Sequence, residues 1–137
     1  MIRQALAPDG PAVLALARAF ATSFVVESAA FDRTFVELIG RPDACLRVAE
    51  ADGQIAGYVL GFEHPTFFAN GRVAWVEEVM VAETFRRRGV GGTLMAEFEA
   101  WAAARGARLI ALATRRAAVF YRALGYEESA SYFRKKL

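Results

Sequence analysis

Cysteine and histidine are almost missing from this sequence: its 137 residues hold one of each, Cys45 and His64. A lone cysteine cannot close an internal disulfide, which fits a reducing compartment. No histidine, cysteine and carboxylate cluster has the spacing of metal ligands, so no metal is expected. Long hydrophobic runs are lacking too. Hydrophobic residues make up 55% of the chain, yet no apolar stretch approaches the roughly 18 to 20 residues that span a bilayer. A soluble chain with no membrane partner is expected. The opening "MIRQALAPDG" carries an arginine and a proline where an export signal would be continuously apolar, so a cytoplasmic location is expected. Excess charge of one sign is the third absence: 17 Lys and Arg stand against 15 Asp and Glu. That balance argues against a protein that holds nucleic acid by bulk charge. With no repeat, linker or low-complexity tract, residues 1–137 suit one domain around one core.

What is present alternates between helical and strand periods. "PDGPAVLALARAFA" places Val13, Leu14, Leu16, Ala17 and Phe20 at helical spacing, with Asp9 expected to cap the start. A second helix is expected from Asp32 to Gly40, stopped by Pro42. The segment "TSFVVESAAF" between them has no period, as in loops that shape pockets. In "CLRVAEADGQIAGYVLGFE", Asp52-Gly53 is a hairpin dipeptide between two strands. "HPTFFANG" then reads as a connection, and "RVAWVEEVMVA" as the third strand of an antiparallel meander. A helical stripe of Val90, Leu94, Phe98 and Trp101 follows and ends at Gly106. "ARLIALAT" is expected as a strand buried on both faces and parallel to the one before. "RRAAVFYRALG" is a helix closed by Gly125, and "YEESASYFRKKL" a turn and a last strand. The class is α+β: a mixed central sheet with an antiparallel N-terminal meander, one parallel strand-helix-strand crossover and about four flanking helices.

The crossover holds "RRRGVGG", residues 86 to 92, where a strand becomes a helix. A helix N-terminus presents free backbone N–H groups and partial positive charge, so a glycine-rich turn feeding it is an anion site. Arginines add phosphate-matching donors at its rim. Two common phosphate loops do not fit. A P-loop needs lysine after its last glycine, but Thr93 follows Gly92; a dinucleotide fingerprint starting at Gly89 needs glycine where Leu94 stands.

R-x-x-G-x-G, read as Arg86, Gly89 and Gly91 directly after a strand ending in "VMV", does fit. In this form it resembles the coenzyme A pyrophosphate loop of the GNAT family of N-acetyltransferases. "AVFYRALGYEE" resembles the family's F-Y-x-x-x-G-[FY] segment, and the likeness runs over essentially the whole chain. The resemblance implies acetyl-CoA as cosubstrate, with its pyrophosphate on the backbone of Arg86, Arg87, Arg88, Gly89, Val90, Gly91 and Gly92. Its pantetheine arm would pair with Val79 and Val81. The resemblance also implies transfer of the acetyl group to a primary amine by direct attack, with Tyr121 as general acid. Where the family commonly has asparagine before the last helix, this chain has Thr114, which puts the cofactor contact there in doubt.

An alkylamine with a pKa of roughly 10 must lose a proton before it attacks. Glu77 and Glu78 are the candidate bases, on opposite faces of one strand; the resemblance favours Glu77, although some members use the position held here by Trp75. Glu27, Phe31, His64 and Phe67 are candidate acceptor-site residues. Glu27, Phe31 and Phe67 with Glu63 would suit a small cationic amine, and a peptide amine is the other acceptor. Phe67 and Phe68 fit either an acceptor wall or a core edge. Cys45, among strand residues, is expected buried and inert. A homodimer is compatible with the resemblance. The competing reading is a binding module that senses acyl-CoA without catalysis.

Overall fold

The computed structural model describes all 137 residues. A short first strand β1 (Ile2–Gln4) leads through a 3-10 turn into helix α1 (Gly10–Phe20) and then α2 (Ser28–Ile39). Strands β2 (Ala44–Ala51), β3 (Gln54–Thr66) and β4 (Gly71–Val81) follow. Helix α3 (Val90–Ala104), strand β5 (Ala107–Leu112) and helix α4 (Ala118–Ala123) complete the elements. The sheet runs in the order β1-β2-β3-β4-β5. Every pair is antiparallel except β4 and β5, which are parallel across α3.

The period-2 alternation of β2 and β3 decides which helices cover which face. Cys45, Ala49 and Val59 join Leu94, Met95, Phe98 and Ala102 of α3 in one core cluster. Leu46, Val48, Tyr58 and Leu60 join Val13, Leu16 and Ala17 of α1 and Phe35 of α2 in the other. Asp52 and Gly53 both have positive φ, at 54° and 73°, as the tight β2–β3 hairpin requires. Cys45 is fully buried, and burial pushes its thiol up to about 11, so it is not a nucleophile at neutral pH.

Gly61 marks the closest approach of sheet and helix. A methyl group there would run into the Phe98 ring and lie 2.7 Å from the Trp75 carbonyl oxygen. Gly61→Ala is expected to destabilise the fold by about 1–3 kcal/mol through overpacking, read as a lower midpoint in urea unfolding.

Several expectations from sequence need correction. β1 was not anticipated: Ile2–Gln4 is too short to show a period, and it is fixed by pairing with Arg47–Ala49 of β2. α2 starts at Ser28, before the expected Asp32. Asp9 is the N-cap residue of α1 but makes no side-chain capping bond; its carboxylate instead accepts from the Leu6 backbone N–H at 2.7 Å and pairs with Arg3 at 2.7 Å. His64, Pro65 and Thr66 belong to β3, not to a connection. β5 is apolar yet not buried on both faces, because it is the sheet edge and Leu109 remains 41% exposed. The expected last strand does not form: residues 127–137 are exposed and unpaired with the sheet. "EESAS" is a poor strand former, and the segment is anchored by side chains, with Arg134 donating to Ser23 Oγ at 2.9 Å.

Candidate active site

Glycine and positive φ build the turn between β4 and α3. Arg87 and Gly89 sit in the left-handed region, at φ 65° and 79°, a conformation glycine accepts freely and arginine does not. Arg86 Nε donates to the Val81 carbonyl at 3.2 Å, tying the turn to the strand end. Gly89 is the N-cap of α3, and both the N–H and the Oγ1 of Thr93 donate to its carbonyl, at 3.0 and 2.9 Å. No backbone N–H from Arg87 to Gly92 donates to a protein acceptor. The helix start explains the later members of that run, and the left-handed turn extends it backward through Arg87. Arg88 reaches Asp52 only loosely, at 3.4 Å, and its guanidinium lies over the Phe85 ring.

The two sequence motifs meet in space. A methyl group at Gly91 would lie 3.2 Å from Phe120 Cζ and 3.7 Å from Val81 Cγ2. Gly91 is therefore glycine so that α4 can close on the start of α3. This contact places Phe120 and Tyr121 against the same apolar cluster as Val79 and Val81.

β4 and β5 part company at the end of their pairing. Their register ends at Val76 with Leu112, leaving Glu77 to Val81 without a partner on that edge. On its other edge β4 pairs with β3, but Leu60 faces Glu78 while Gly61 faces Val76, so Glu77 is the extra residue of a β-bulge. The backbone of Val79 and Val81 is thus an open strand edge leading to the run of free N–H groups. That combination fits an amide-bearing arm ending in a pyrophosphate.

The two glutamates differ in their surroundings. Glu77 is exposed. Glu78 turns toward the α1 and α2 face, where the Tyr58 hydroxyl donates to its Oε1 at 2.6 Å. Burial raises the Glu78 pKa; the Tyr58 hydrogen bond opposes this and the neighbouring Glu77 charge adds to it. Burial, and then the Glu78 charge, hold the Tyr58 hydroxyl protonated. Tyr58 escaped the sequence reading, since only the β3–β4 register brings it to Glu78. Tyr121 is half-buried, its hydroxyl has no hydrogen-bond partner in the protein, and burial raises its pKa. Its ring is held edge-on between Phe120 and Tyr126, with centroids 4.9 and 5.8 Å away. Tyr126 is itself fixed by donating to Glu99 at 2.7 Å.

Other candidates lie elsewhere. Thr114 Oγ1 accepts from the Ala117 N–H at 3.0 Å and closes the turn into α4. Glu27 and Phe31 belong to the start of α2, with Phe31 stacked on Phe35. His64 pairs with Val73, and Phe67 is fully exposed in the turn before Gly71, at the end of β4 remote from the loop. Glu63 is no part of an open pocket: its side chain is 1% exposed and accepts from Arg72 at 2.7 Å and Arg105 at 3.0 Å. A surface depression of about 470 Å³ is lined by Arg18 and by Ala21 to Val26 of the α1–α2 connection.

Known proteins share this fold. The chain is similar to a transcriptional regulator from Bacillus halodurans C-125, at 24% identity and TM-score 0.88, covering 100% of this chain and 99% of that one. It is similar to glucosamine-6-phosphate N-acetyltransferase from Arabidopsis thaliana, at 24% identity and TM-score 0.84, covering 99% and 97%. It is also similar to AAC(6')-Iy in complex with the bisubstrate analogue CoA-S-monomethyl-acetylneamine, at 23% identity and TM-score 0.82, covering 100% and 98%. At these identities the likeness carries the fold. No curated protein matches the chain by sequence. Residues 12–126, which run from the first turn of α1 to Tyr126, match the acetyltransferase (GNAT) family, and the chain belongs to that family.

Proposed function

We propose that this protein transfers an acetyl group from acetyl-CoA to a primary amine by direct attack, with Glu78 as the base and Tyr121 as the acid. The observation that carries the reading is the run of free N–H groups from Arg87 to Gly92 opening onto the unpaired edge of β4. Backbone donors and positive charge there suit a pyrophosphate. Val79 and Val81 offer strand donors and acceptors to the pantetheine amides, and acetyl-CoA supplies an activated thioester. The N-acetyltransferases among the similar structures support amine acetylation as the reaction class.

The chain's own groups then divide the proton work. Glu78, with a raised pKa, takes a proton from the incoming ammonium, directly or through one water. The nitrogen forms its bond to the acetyl carbon, the carbon–sulfur bond breaks as Tyr121 gives its proton to the departing sulfur, and the nitrogen's second proton leaves, directly or through water, to restore Tyr121 and yield the neutral amide. Burial keeps that phenol protonated at neutral pH, so it is a donor when needed. Glu77, exposed on the bulge, is left to tune Glu78 by its charge.

Amine-dependent release of free CoA thiol tests the reaction, with intact-protein mass spectrometry alongside. Thiol release only when amine is present, with no acetylated protein, is the expected result. Acetylation of Cys45 would refute direct attack. Tight acetyl-CoA binding with no thiol release for any amine would instead favour the non-catalytic sensor, the reading that an intact Glu78 and Tyr121 argue against.

A further inference from the structure

The α1–α2 depression differs in charge from the cationic-amine pocket expected from sequence. Its lining contains one ionisable side chain, Arg18. Arg18 is held by two local bonds, Nε to the Val26 carbonyl at 3.2 Å and Nη2 to Ser28 Oγ at 2.9 Å. The C-terminal segment brings two more cations to the same rim. Arg134 donates to Ser23 Oγ at 2.9 Å, and Lys136 Nζ lies 5.3 Å from the centroid of the Phe24 ring. Neither Arg18, Arg134, Lys135 nor Lys136 has a carboxylate partner within salt-bridge distance.

The acids that could offset them are committed or apart. Glu63 is sealed by two arginines. Glu27, next in the chain to the lining residue Val26, is exposed and makes no ion pair with any of these cations. Glu78 projects to the same face as α1, which packs across β3 and β4 and ends where the depression begins. This face is thus bipolar, with one carboxylate for an amine and a cluster of free cations for a negative group. A volume of about 470 Å³ suits a small molecule rather than a folded surface.

We infer that the acceptor is a small amino compound that also carries an anionic group, a carboxylate or a phosphate, seated on Arg18 with Arg134 and Lys136 at the rim. Arg18 is pre-organised for that role, because two of its donors are fixed and the rest remain for the ligand. The inference rests on the acetyl-transfer reading for where the amine points, and its binding half can be tested without turnover.

The test compares matched amines: β-alanine with β-alaninamide, phenylalanine with phenylalaninamide, phosphoethanolamine with ethanolamine, and spermidine as the opposite charge. Calorimetric binding to the CoA-loaded protein is measured beside kcat/KM for acetylation. At least one anionic member is expected to exceed its neutral partner about tenfold or more, as hydrogen bonds to charged groups allow. The carboxylate and phosphate pairs tell which anion is preferred. Arg18→Gln is expected to lower binding and kcat/KM of the anionic member more than those of its neutral partner, abolishing the preference. Arg134→Gln/Lys136→Gln, at two exposed positions, should reduce it. Equal treatment of every pair, or a preference for spermidine, would overturn the inference and leave acetyl transfer standing. Preferential binding of an anionic amine without acetylation of any amine would support the inference and sink the transferase reading.

Discussion

Glu78→Gln is expected to lower kcat for amine acetylation by about 10²–10⁴-fold, the contribution typical of a positioned general base. Glutamine keeps the shape and can still accept from Tyr58, so acetyl-CoA affinity should not change. The pH profile carries the more specific signature. A base works only when deprotonated, and burial raises the Glu78 pKa above the usual 4.5. Activity should therefore fall as pH drops through that raised value, and the acidic limb should disappear in the variant. Glu77→Gln, at the exposed bulge position, should retain activity and move the limb toward lower pH, since it removes the charge that raises Glu78.

The same shift has a consequence for stability. A carboxyl whose folded pKa is raised binds its proton more firmly in the folded state than in the unfolded one. Its contribution to stability is present at low pH and lost as pH rises through the folded value. At neutral pH the ionised Glu78 thus weighs against folding, and Glu78→Gln should raise the Tm while it lowers kcat. Loss of both activity and stability would make Glu78 a structural residue, linked to Tyr58 and nothing more.

Tyr121→Phe is expected to cost a comparable 10²–10⁴-fold in kcat, roughly the value of a general acid, with acetyl-CoA affinity retained. The ring contacts to Phe120 and Tyr126 survive the change, so the hydroxyl alone is removed. In the wild type the phenol must stay protonated, and burial raises its pKa above the usual 10.0. Activity should persist to high pH and then fall; the variant should lack that basic limb. A Tyr121→Phe enzyme with wild-type kcat would leave thiolate protonation to solvent.

Features that depend on a single local pattern were legible in the sequence. Arg86 to Gly92 announces a glycine-capped helix start with unpaired backbone N–H groups, because glycine does its work through backbone freedom. Asp52-Gly53 announces its hairpin because positive φ at both positions needs those residues. Cys45 is buried as its strand neighbours imply. Features that depend on pairing were not. Strict alternation would put Glu77 and Glu78 on opposite faces, but it cannot reveal that Glu77 is the extra residue of a bulge, the feature behind the proposal of Glu78 as the base. Tyr58 and Glu78 stand twenty positions apart and meet only through the β3–β4 register. Glu63 looked available to a substrate until Arg72 and Arg105 were seen to close over it. β5 looked doubly buried because composition alone cannot tell a central strand from an edge.

Calorimetric titration of acetyl-CoA into the wild type and into Gly92→Glu tests the central claim most directly. A side chain at Gly92 has room, with Leu124 Cδ2 at 3.9 Å as its nearest neighbour. A carboxylate in the first turn of α3 is also favoured by the helix dipole, so the variant should fold. It would place negative charge among the N–H groups proposed for the pyrophosphate. The account expects saturable binding by the wild type and its loss in a variant with unchanged circular dichroism. A wild type that does not bind, or a variant that binds equally well, would contradict it.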